Sequence, residues 1–250
     1  MLIQIYEIQN RAEALALAEI GVDHIGSVLT QPDPTDGDEL AATIRTVSDA
    51  GKTSTLIPLF CDVEHISRAL DRYRPDIVHF CETLYGNGNQ KKLSDTFERQ
   101  NKIRGRFPEI KIMRSVPIGQ AGNGKAVPSL DIARSFESIS DYFLTDTLLK
   151  SGGNEMESQQ PVDGFVGITG ITCDWQVAKA LVLESSIPVI LAGGISPENV
   201  AEGINAVAPA GVDSCTLTNA VDENGKTVRF RKDLEKVKRM VANARQKDMN

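Results

Sequence analysis

The chain has 250 residues, of which 41% are hydrophobic and 24% are charged, and its formal net charge is −7. This composition is typical of a folded globular protein, and the acidic balance argues against nucleic acid or an anionic membrane surface as the main partner. No apolar run approaches the roughly 18 residues of a membrane span, and the N-terminus lacks the basic segment and apolar core of a signal peptide. The four cysteines show no spacing typical of a zinc site or a disulfide framework. We therefore expect a cytoplasmic protein that uses neither a metal nor a cofactor.

Short apolar segments alternate with amphipathic ones along the whole chain. The segments that predict strands are LIQIY (2–6), HIGSVL (24–29), TLIPLF (55–60), DIVHF (76–80), IKIMRSV (110–116), DYFLTD (141–146), PVILAG (188–193) and GVDSCTLT (211–218). Each is followed by a stretch with helical periodicity, the last of which is RFRKDLEKVKRMVANARQ (229–246). Eight such units predict one (β/α)8 barrel over residues 1–250, with an open doubly wound sheet as the alternative. The functional residues of such a barrel lie at the C-terminal ends of its strands.

The strongest local signal follows the seventh predicted strand, where Gly193 and Gly194 precede a helix that we place from Pro197, with Ser196 as its cap. Glycine lets the backbone approach an anion closely, and a helix N-terminus presents free N–H groups to it. The loops after strands 7 and 8 are also a recurrent phosphate site of barrels. A tight turn that simply needs glycine is the alternative. Further candidates for phosphate binding are Gly167, Thr169, Gly170 and Thr216.

Two charged residues stand at the ends of predicted strands. Asp146 closes the sixth strand, where a barrel places a general acid or base, although a carboxylate that caps the next loop is an equal alternative. Arg114 ends the fifth strand and is a candidate cation for an anionic ligand, or else a surface residue with a long apolar stem.

Three other patterns carry less weight. GQAGNGKA (119–126) is one residue short of a phosphate-binding loop and ends in alanine where Ser or Thr is needed, so a flexible lid is favoured over a nucleotide site. His79, Cys81 and Cys61 end neighbouring strands, but ordinary partly buried residues are favoured over a metal trio. The basic tail from Arg229 onward is interpreted as a solvated helix face.

Four segments together resemble the phosphoribosylanthranilate isomerases. They are AEIGVDHIGSVL (18–29), YFLTDT (142–147), GITGITCDWQVAKAL (167–181) and PVILAGGISPENVAEGINAVAPAGVD (188–213). This family consists of barrel enzymes that perform an Amadori rearrangement in tryptophan biosynthesis. The resemblance implies that Asp146 is the general acid that protonates the furanose ring oxygen. It also implies that the substrate phosphate is bound by Gly167, Thr169, Gly170, Gly193 and Gly194.

The chain also departs from the family's pattern. The thiol that acts as the family's general base is replaced by Tyr6, with Glu7 next to it. The arginine that meets the anthranilate carboxylate is replaced by TQPDPTDGD (30–38), which contains no cation, and the glycine after strand 8 is replaced by Leu217. Since a phenol is a weak base at neutral pH, the family reaction needs a recruited group.

These observations predict an isomerase-like enzyme for a phosphoribosyl substrate, with Asp146, Tyr6 and Glu7 as catalytic candidates and His79 and Arg114 as substrate-binding candidates. One alternative is a different reaction on another phosphosugar, with Tyr6, Glu7 or His79 recruited. Another is a barrel that binds a phosphorylated metabolite, or a protein partner, without turnover.

Overall fold

The computed structural model describes residues 1–34, 37–85, 89–149 and 164–246. Its eight parallel strands pair in sequence order, and β8 pairs with β1, which closes a barrel. These strands are β1 (Leu2–Ile5), β2 (His24–Leu29), β3 (Thr53–Pro58), β4 (Ile77–Phe80), β5 (Lys111–Gly119), β6 (Tyr142–Leu148), β7 (Val189–Leu191) and β8 (Gly211–Ser214). The described helices are α1 (Arg11–Ile20), α2 (Gly37–Asp49), α3 (Val63–Tyr73), α4 (Asn89–Arg106), α5 (Ser129–Phe136), α6 (Trp175–Glu184), α7 (Val200–Val207) and α8 (Leu234–Arg245). The prediction of a (β/α)8 barrel is confirmed. Among the described helices, none is long and apolar enough to cross a membrane.

The helices begin and end where the local chemistry requires it. Asn10, Asp62, Asp174 and Asp233 each cap a helix by accepting hydrogen bonds from backbone N–H groups of its first turn. Helix α1 ends at Ile20 and is capped by Gly21, whose left-handed φ of 103° lets its N–H donate to carbonyls of the last turn. The apolar faces of the helices then pack on the outside of the barrel.

The N-terminal ends of the strands are held by a repeated aspartate. Asp23, Asp76 and Asp141 each precede an even-numbered strand and accept the backbone N–H of the preceding odd-numbered strand, over 2.7–2.9 Å. The N–H donors are those of Ile3, Ser54 and Ile112. These aspartates therefore stabilise the end of the barrel opposite the expected site.

The segment after β8 differs from its prediction. Strand β8 ends at Ser214, and residues 219–232 form an antiparallel hairpin of β9 (Asn219–Val221) and β10 (Thr227–Lys232). The turn contains Asn224 and Gly225, a dipeptide that favours hairpins, and Gly225 has a φ of 77°. The stretch from Arg229 to Lys232 is therefore strand, and the last helix begins only after the Asp233 cap.

Candidate active site

A pocket of about 70 Å³ opens at the C-terminal ends of the barrel strands. Every barrel strand except β5, or the loop that follows it, contributes to its lining. All residues predicted for the site line this pocket except Gly167 and Arg114. The predicted residues that line it are Tyr6, Glu7, His79, Asp146, Thr169, Gly170, Gly193, Gly194 and Thr216.

The paired glycines after β7 form a tight, left-handed turn. Gly193 and Gly194 have φ values of 83° and 66°. A Cβ on Gly194 would lie 2.5 Å from the carbonyl carbon of Ile171, and one on Gly193 would overlap the hydroxyl of Thr147. The close approach of two loops thus requires glycine here. The N–H groups of both glycines make no hydrogen bond to any described residue, so they remain available to an anion.

The helix after this turn begins later than predicted. Helix α7 starts at Val200 rather than near Pro197, because the turn before it is closed by Ser196. The Ser196 hydroxyl accepts hydrogen bonds from the N–H groups of Glu198 and Asn199. Ser196 therefore caps a turn, as predicted, but this turn precedes the helix instead of being its first turn.

A second loop completes the rim beside the glycines. Gly167, Ile168 and Gly170 all have positive φ, and the 63° of Ile168 is a strained conformation for a β-branched residue. Thr169 accepts the N–H of Ile171 over 3.2 Å. Across the pocket rim, the buried Thr216 hydroxyl has no hydrogen-bond partner among the described residues. Such an unpaired hydroxyl costs free energy, which a bound oxyanion would recover.

Asp146 lies on the inner face of β6 beside this rim. Burial raises the pKa of its carboxyl to about 7, although the N–H of Thr147 donates to it over 2.9 Å and lowers the pKa. Gly167 makes room for it, because a Cβ there would overlap Oδ2 and lie 3.0 Å from Cγ. Asp146 can therefore hold and release a proton near neutral pH.

Asp213 on β8 is a second pocket carboxylate, and the sequence analysis missed it. Its Oδ1 accepts a hydrogen bond from Gln4 Nε2 over 3.1 Å. Burial, together with the charge of Asp146, raises the pKa of Asp213 to about 7. The available signal was an aspartate at an inward-facing position of a fully buried strand.

Tyr6 belongs to a neutral hydrogen-bonded chain. Its hydroxyl lies 2.8 Å from His79 Nδ1, and His79 Nε2 lies 2.8 Å from the hydroxyl of Ser115. Burial raises the pKa of Tyr6 well above its usual value and lowers the pKa of His79 to about 3. Gly26 accommodates the ring, because a Cβ there would overlap Tyr6. The structure therefore argues against Tyr6 as a base at neutral pH.

Glu7 follows β1 in a left-handed conformation, with a φ of 69°. Its buried carboxylate accepts hydrogen bonds from Asn219 over 3.0 Å and from Arg229 Nε over 2.7 Å. Burial raises the pKa of Glu7, but the charges of Arg229 and Lys232 outweigh burial and leave the pKa below its usual value. Glu7 lines the pocket, yet this pairing with the β9–β10 hairpin makes it a weak proton acceptor.

The expectation that Arg114 contacts the ligand is wrong. Strand β5 continues to Gly119, so Arg114 lies in mid-strand, and Met113 and Ser115 are the residues that face the barrel interior. The guanidinium of Arg114 is buried on the outer face, about 5 Å from the rings of Phe80 and Phe136, and pairs with Glu82 over 2.5 Å.

The loop over residues 119–126 also holds no anion site. The carboxylate of Asp174 accepts the N–H groups of Gly122 and Gly124 over 3.2 and 3.3 Å, and these are donors that a phosphate-binding loop would offer. No group of three potential metal ligands occurs in the described part of the chain. Both nitrogens of His79 are already hydrogen-bonded.

The fold and the site together define a (β/α)8 barrel with a candidate oxyanion cup and two carboxyl groups that line the pocket at its mouth. Residues 122–243 match the family model described as N-(5'phosphoribosyl)anthranilate (PRA) isomerase. N-(5'-phosphoribosyl)anthranilate isomerase 2 of Methanosarcina mazei is 32% identical over 90% of this chain and 88% of its own length. The isomerase of Methanocella arvoryzae is 28% identical over 93% and 92% of the two chains.

Solved structures support the same fold. The N-(5'-phosphoribosyl)anthranilate isomerase from Pyrococcus furiosus superposes with a TM-score of 0.66, at 17% identity over 98% of both chains. The phosphoribosylanthranilate isomerase from Thermotoga maritima gives a TM-score of 0.65, at 20% identity over 98% of this chain and 99% of its own. The chain belongs to the N-(5'-phosphoribosyl)anthranilate isomerase family.

Proposed function

We propose that this protein catalyses an Amadori-type isomerisation of a phosphoribosylated amine, with Asp146 as the general acid. The observation that carries the proposal is the placement of the Asp146 carboxyl in the same pocket as the free N–H groups of Gly193 and Gly194. A phosphosugar that is anchored at the glycines presents its ring to a group that can donate a proton. Family membership supports this reading of the geometry.

The phosphate would be held by hydrogen bonds rather than by a cation. No lysine or arginine lines the pocket among the described residues. The N–H groups of Gly193 and Gly194 and the unpaired hydroxyl of Thr216 are the available donors, with the loop from Gly167 to Gly170 beside them. The positive end of helix α7 adds to their attraction for an anion.

Asp146 would start the reaction by ring opening. Its proton goes to the furanose oxygen while the C1–O bond breaks and the amine lone pair forms a C1=N bond. A carboxyl group with a pKa of about 7 is both protonated often enough and acidic enough for this step at neutral pH. Tyr6 and His79 also line the pocket. We assign the Tyr6 hydroxyl to binding a substrate hydroxyl and His79, whose two nitrogens are hydrogen-bonded to Tyr6 and Ser115, to positioning Tyr6.

Genetic complementation tests this function directly. We expect the gene to restore growth of a tryptophan auxotroph that lacks the isomerase, and we expect Asp146→Asn to abolish that growth at equal protein levels. Growth that survives Asp146→Asn would contradict the assigned acid. Failure of the wild-type gene, with the purified protein still binding inorganic phosphate, would favour a changed substrate or a binding role.

A second candidate substrate is favoured by the apolar wall of the pocket. Val28, Ile57 and Leu59 line the side formed by β2 and β3, where the family's arginine for the anthranilate carboxylate is expected. An uncompensated carboxylate against this wall would be costly, so the amine would carry an uncharged substituent. The kcat/KM values for phosphoribosylanthranilate and for phosphoribosylaniline, which lacks the carboxylate, decide between the charged and the uncharged substituent. A higher kcat/KM for the aniline compound supports this candidate, and a higher value for the anthranilate compound excludes it.

A further inference from the structure

Asp213 is a buried carboxylate that the assignment of Asp146 leaves without a role. It lines the pocket from β8 and is only 6% exposed. Gln4 donates to its Oδ1, whereas Oδ2 makes no hydrogen bond to a described residue. The amide of Gln4 is oriented by His24, whose Nδ1 lies 3.1 Å from Gln4 Oε1. One oxygen of Asp213 is thus fixed and the other is available to a ligand.

The strand register brings Asp213 level with Asp146. Leu144 of β6 pairs with Ile190 of β7, which pairs with Gly211 of β8. Asp146 and Asp213 each lie two residues beyond that row. One strand, β7, lies between β6 and β8, so the two residues are two strand spacings apart. Since neighbouring strands are about 4.8 Å apart, their backbones lie about 10 Å apart, which leaves room for a sugar between the two carboxyl groups.

The other groups near the mouth are poor proton acceptors. The phenol of Tyr6 is hydrogen-bonded to His79, and the carboxylate of Glu7 is paired with Arg229. The groups that face Asp213 are Tyr6, Asp146, Cys215 and Lys232. The hydrogen bond from Gln4 and the charge of Lys232 both favour the ionised form of Asp213. For Asp146 the N–H of Thr147 is the one contact among the described residues that does so, and no cation acts on it there.

We propose that Asp213 is the general base of the isomerisation, taking the sugar C2 proton that the family's missing thiol would take. This inference rests on the proposed function. Asp146 and Asp213 then form an acid–base pair across the substrate, with the phosphate anchored at the glycines after β7.

Every proton that moves in the isomerisation has a donor and an acceptor. Asp146 gives its proton to the ring oxygen, and the open form carries a C1=N bond with a positive charge on nitrogen. Asp213 removes the C2 proton, whose electron pair becomes the C1=C2 bond while the C1=N pair returns to nitrogen. The resulting enol becomes a ketone by moving one proton from its hydroxyl to C1. Transfer of one proton from Asp213 to Asp146 restores the protein.

Steady-state kinetics of Asp213→Asn with whichever phosphoribosyl amine the wild-type protein converts test the inference. We expect kcat/KM to fall by about 10²–10⁴-fold, mainly through kcat, because a general base contributes that much. Asp76→Asn is the matched control, since it makes the same change to a hydrogen-bonded carboxylate at the opposite end of the barrel. A kcat within about threefold of wild type, or a loss confined to KM, would overturn the role of Asp213.

The outcomes separate this inference from the proposed function. If the wild-type protein converts neither amine, the function fails. If it converts one and Asp213→Asn does so equally well, only the base assignment fails. Should Asp213→Asn not fold, the wild-type pH profile decides, because an acid and a base with pKa values near 7 predict a bell-shaped kcat/KM. A flat profile from pH 5 to pH 9 would contradict the pair.

Discussion

Asp146 and Asp213 show how burial can create acid–base chemistry from ordinary carboxyl groups. Each lies at an inward position of its strand, and burial raises the pKa of each to about 7. The charge of Asp146 adds to the effect of burial on Asp213, so the two groups disfavour being ionised together. In the mechanism proposed above, these two carboxyl groups perform both proton transfers.

Gly167 is the residue that gives Asp146 its space, and Gly167→Ala tests this. We expect kcat to fall by at least tenfold, because the new Cβ would overlap the carboxylate and displace it. Gly164→Ala is the control, since Gly164 also has a positive φ, of 88°, but nothing lies within 4 Å of its Cβ position. Equal losses in both variants would attribute the effect to backbone strain rather than to Asp146.

At the scale of elements, the β9–β10 hairpin covers the β8–β1 side of the mouth. Arg229 from β10 pairs with the buried carboxylate of Glu7, and Lys232 donates to the carbonyl of Cys215 over 2.8 Å. The hairpin thus neutralises a charge that β1 would otherwise leave buried and unpaired. We therefore expect the hairpin to contribute to stability, beside the proposed catalytic residues.

Removing Arg229 should therefore destabilise the fold. We expect Arg229→Gln to lower the free energy of unfolding toward the lower end of about 3–5 kcal/mol, because Glu7 remains buried while Arg229 is 33% exposed. Arg134→Gln, which removes an exposed arginine paired with Glu184, should change stability little. Urea denaturation measures both, and equal stability of the two variants would contradict the role of the hairpin.

The pKa of Glu7 also predicts how stability depends on pH. Because its folded pKa lies below its unfolded value, its contribution is present above the unfolded pKa of about 4.3 and is lost as the pH falls through the folded pKa. Glu7→Gln should flatten this loss of stability between pH 5 and pH 3. An unchanged acid profile would show that Glu7 is not preferentially ionised in the folded state.

The aspartates at the N-terminal ends of the strands should be structural only. Asp76→Ala removes the acceptor of two buried donors, the N–H and the hydroxyl proton of Ser54, so we expect a loss of about 1–3 kcal/mol and an unchanged kcat. Asp95→Ala, on the exposed face of α4, should leave stability unchanged. A loss of activity in Asp76→Ala at a temperature where it is folded would contradict the separation of the two barrel ends.

At the scale of the whole molecule, the sequence was sufficient to predict the barrel. Its strands are short apolar runs separated by longer stretches that favour helix, so eight units could be counted before any contact was known. The hairpin was missed because its strands are polar and half exposed, so residues 229–232 resembled the basic face of the next helix. The Asn224–Gly225 turn was the signal that predicted it.

The site was only partly predictable, because it depends on which face of a strand each residue occupies. Asp146 and the glycines could be placed from their order along the chain. Arg114 was misplaced because β5 continues to Gly119, which puts the residue in mid-strand, and because its side chain points to the outer face between the inward-facing Met113 and Ser115. Asp213 was overlooked because its importance comes from burial beside Asp146, which only the closed barrel creates.

In the proposed function, this barrel mouth performs proton transfer on a phosphoribosylated amine. The most direct test is the kcat/KM of the purified wild-type protein and of Asp146→Asn, with phosphoribosylanthranilate and phosphoribosylaniline as substrates. We predict conversion of at least one compound by the wild-type protein, and a fall of about 10²–10⁴-fold in Asp146→Asn. No conversion of either compound above the uncatalysed rate, by a protein that is folded and binds phosphate, would contradict the account.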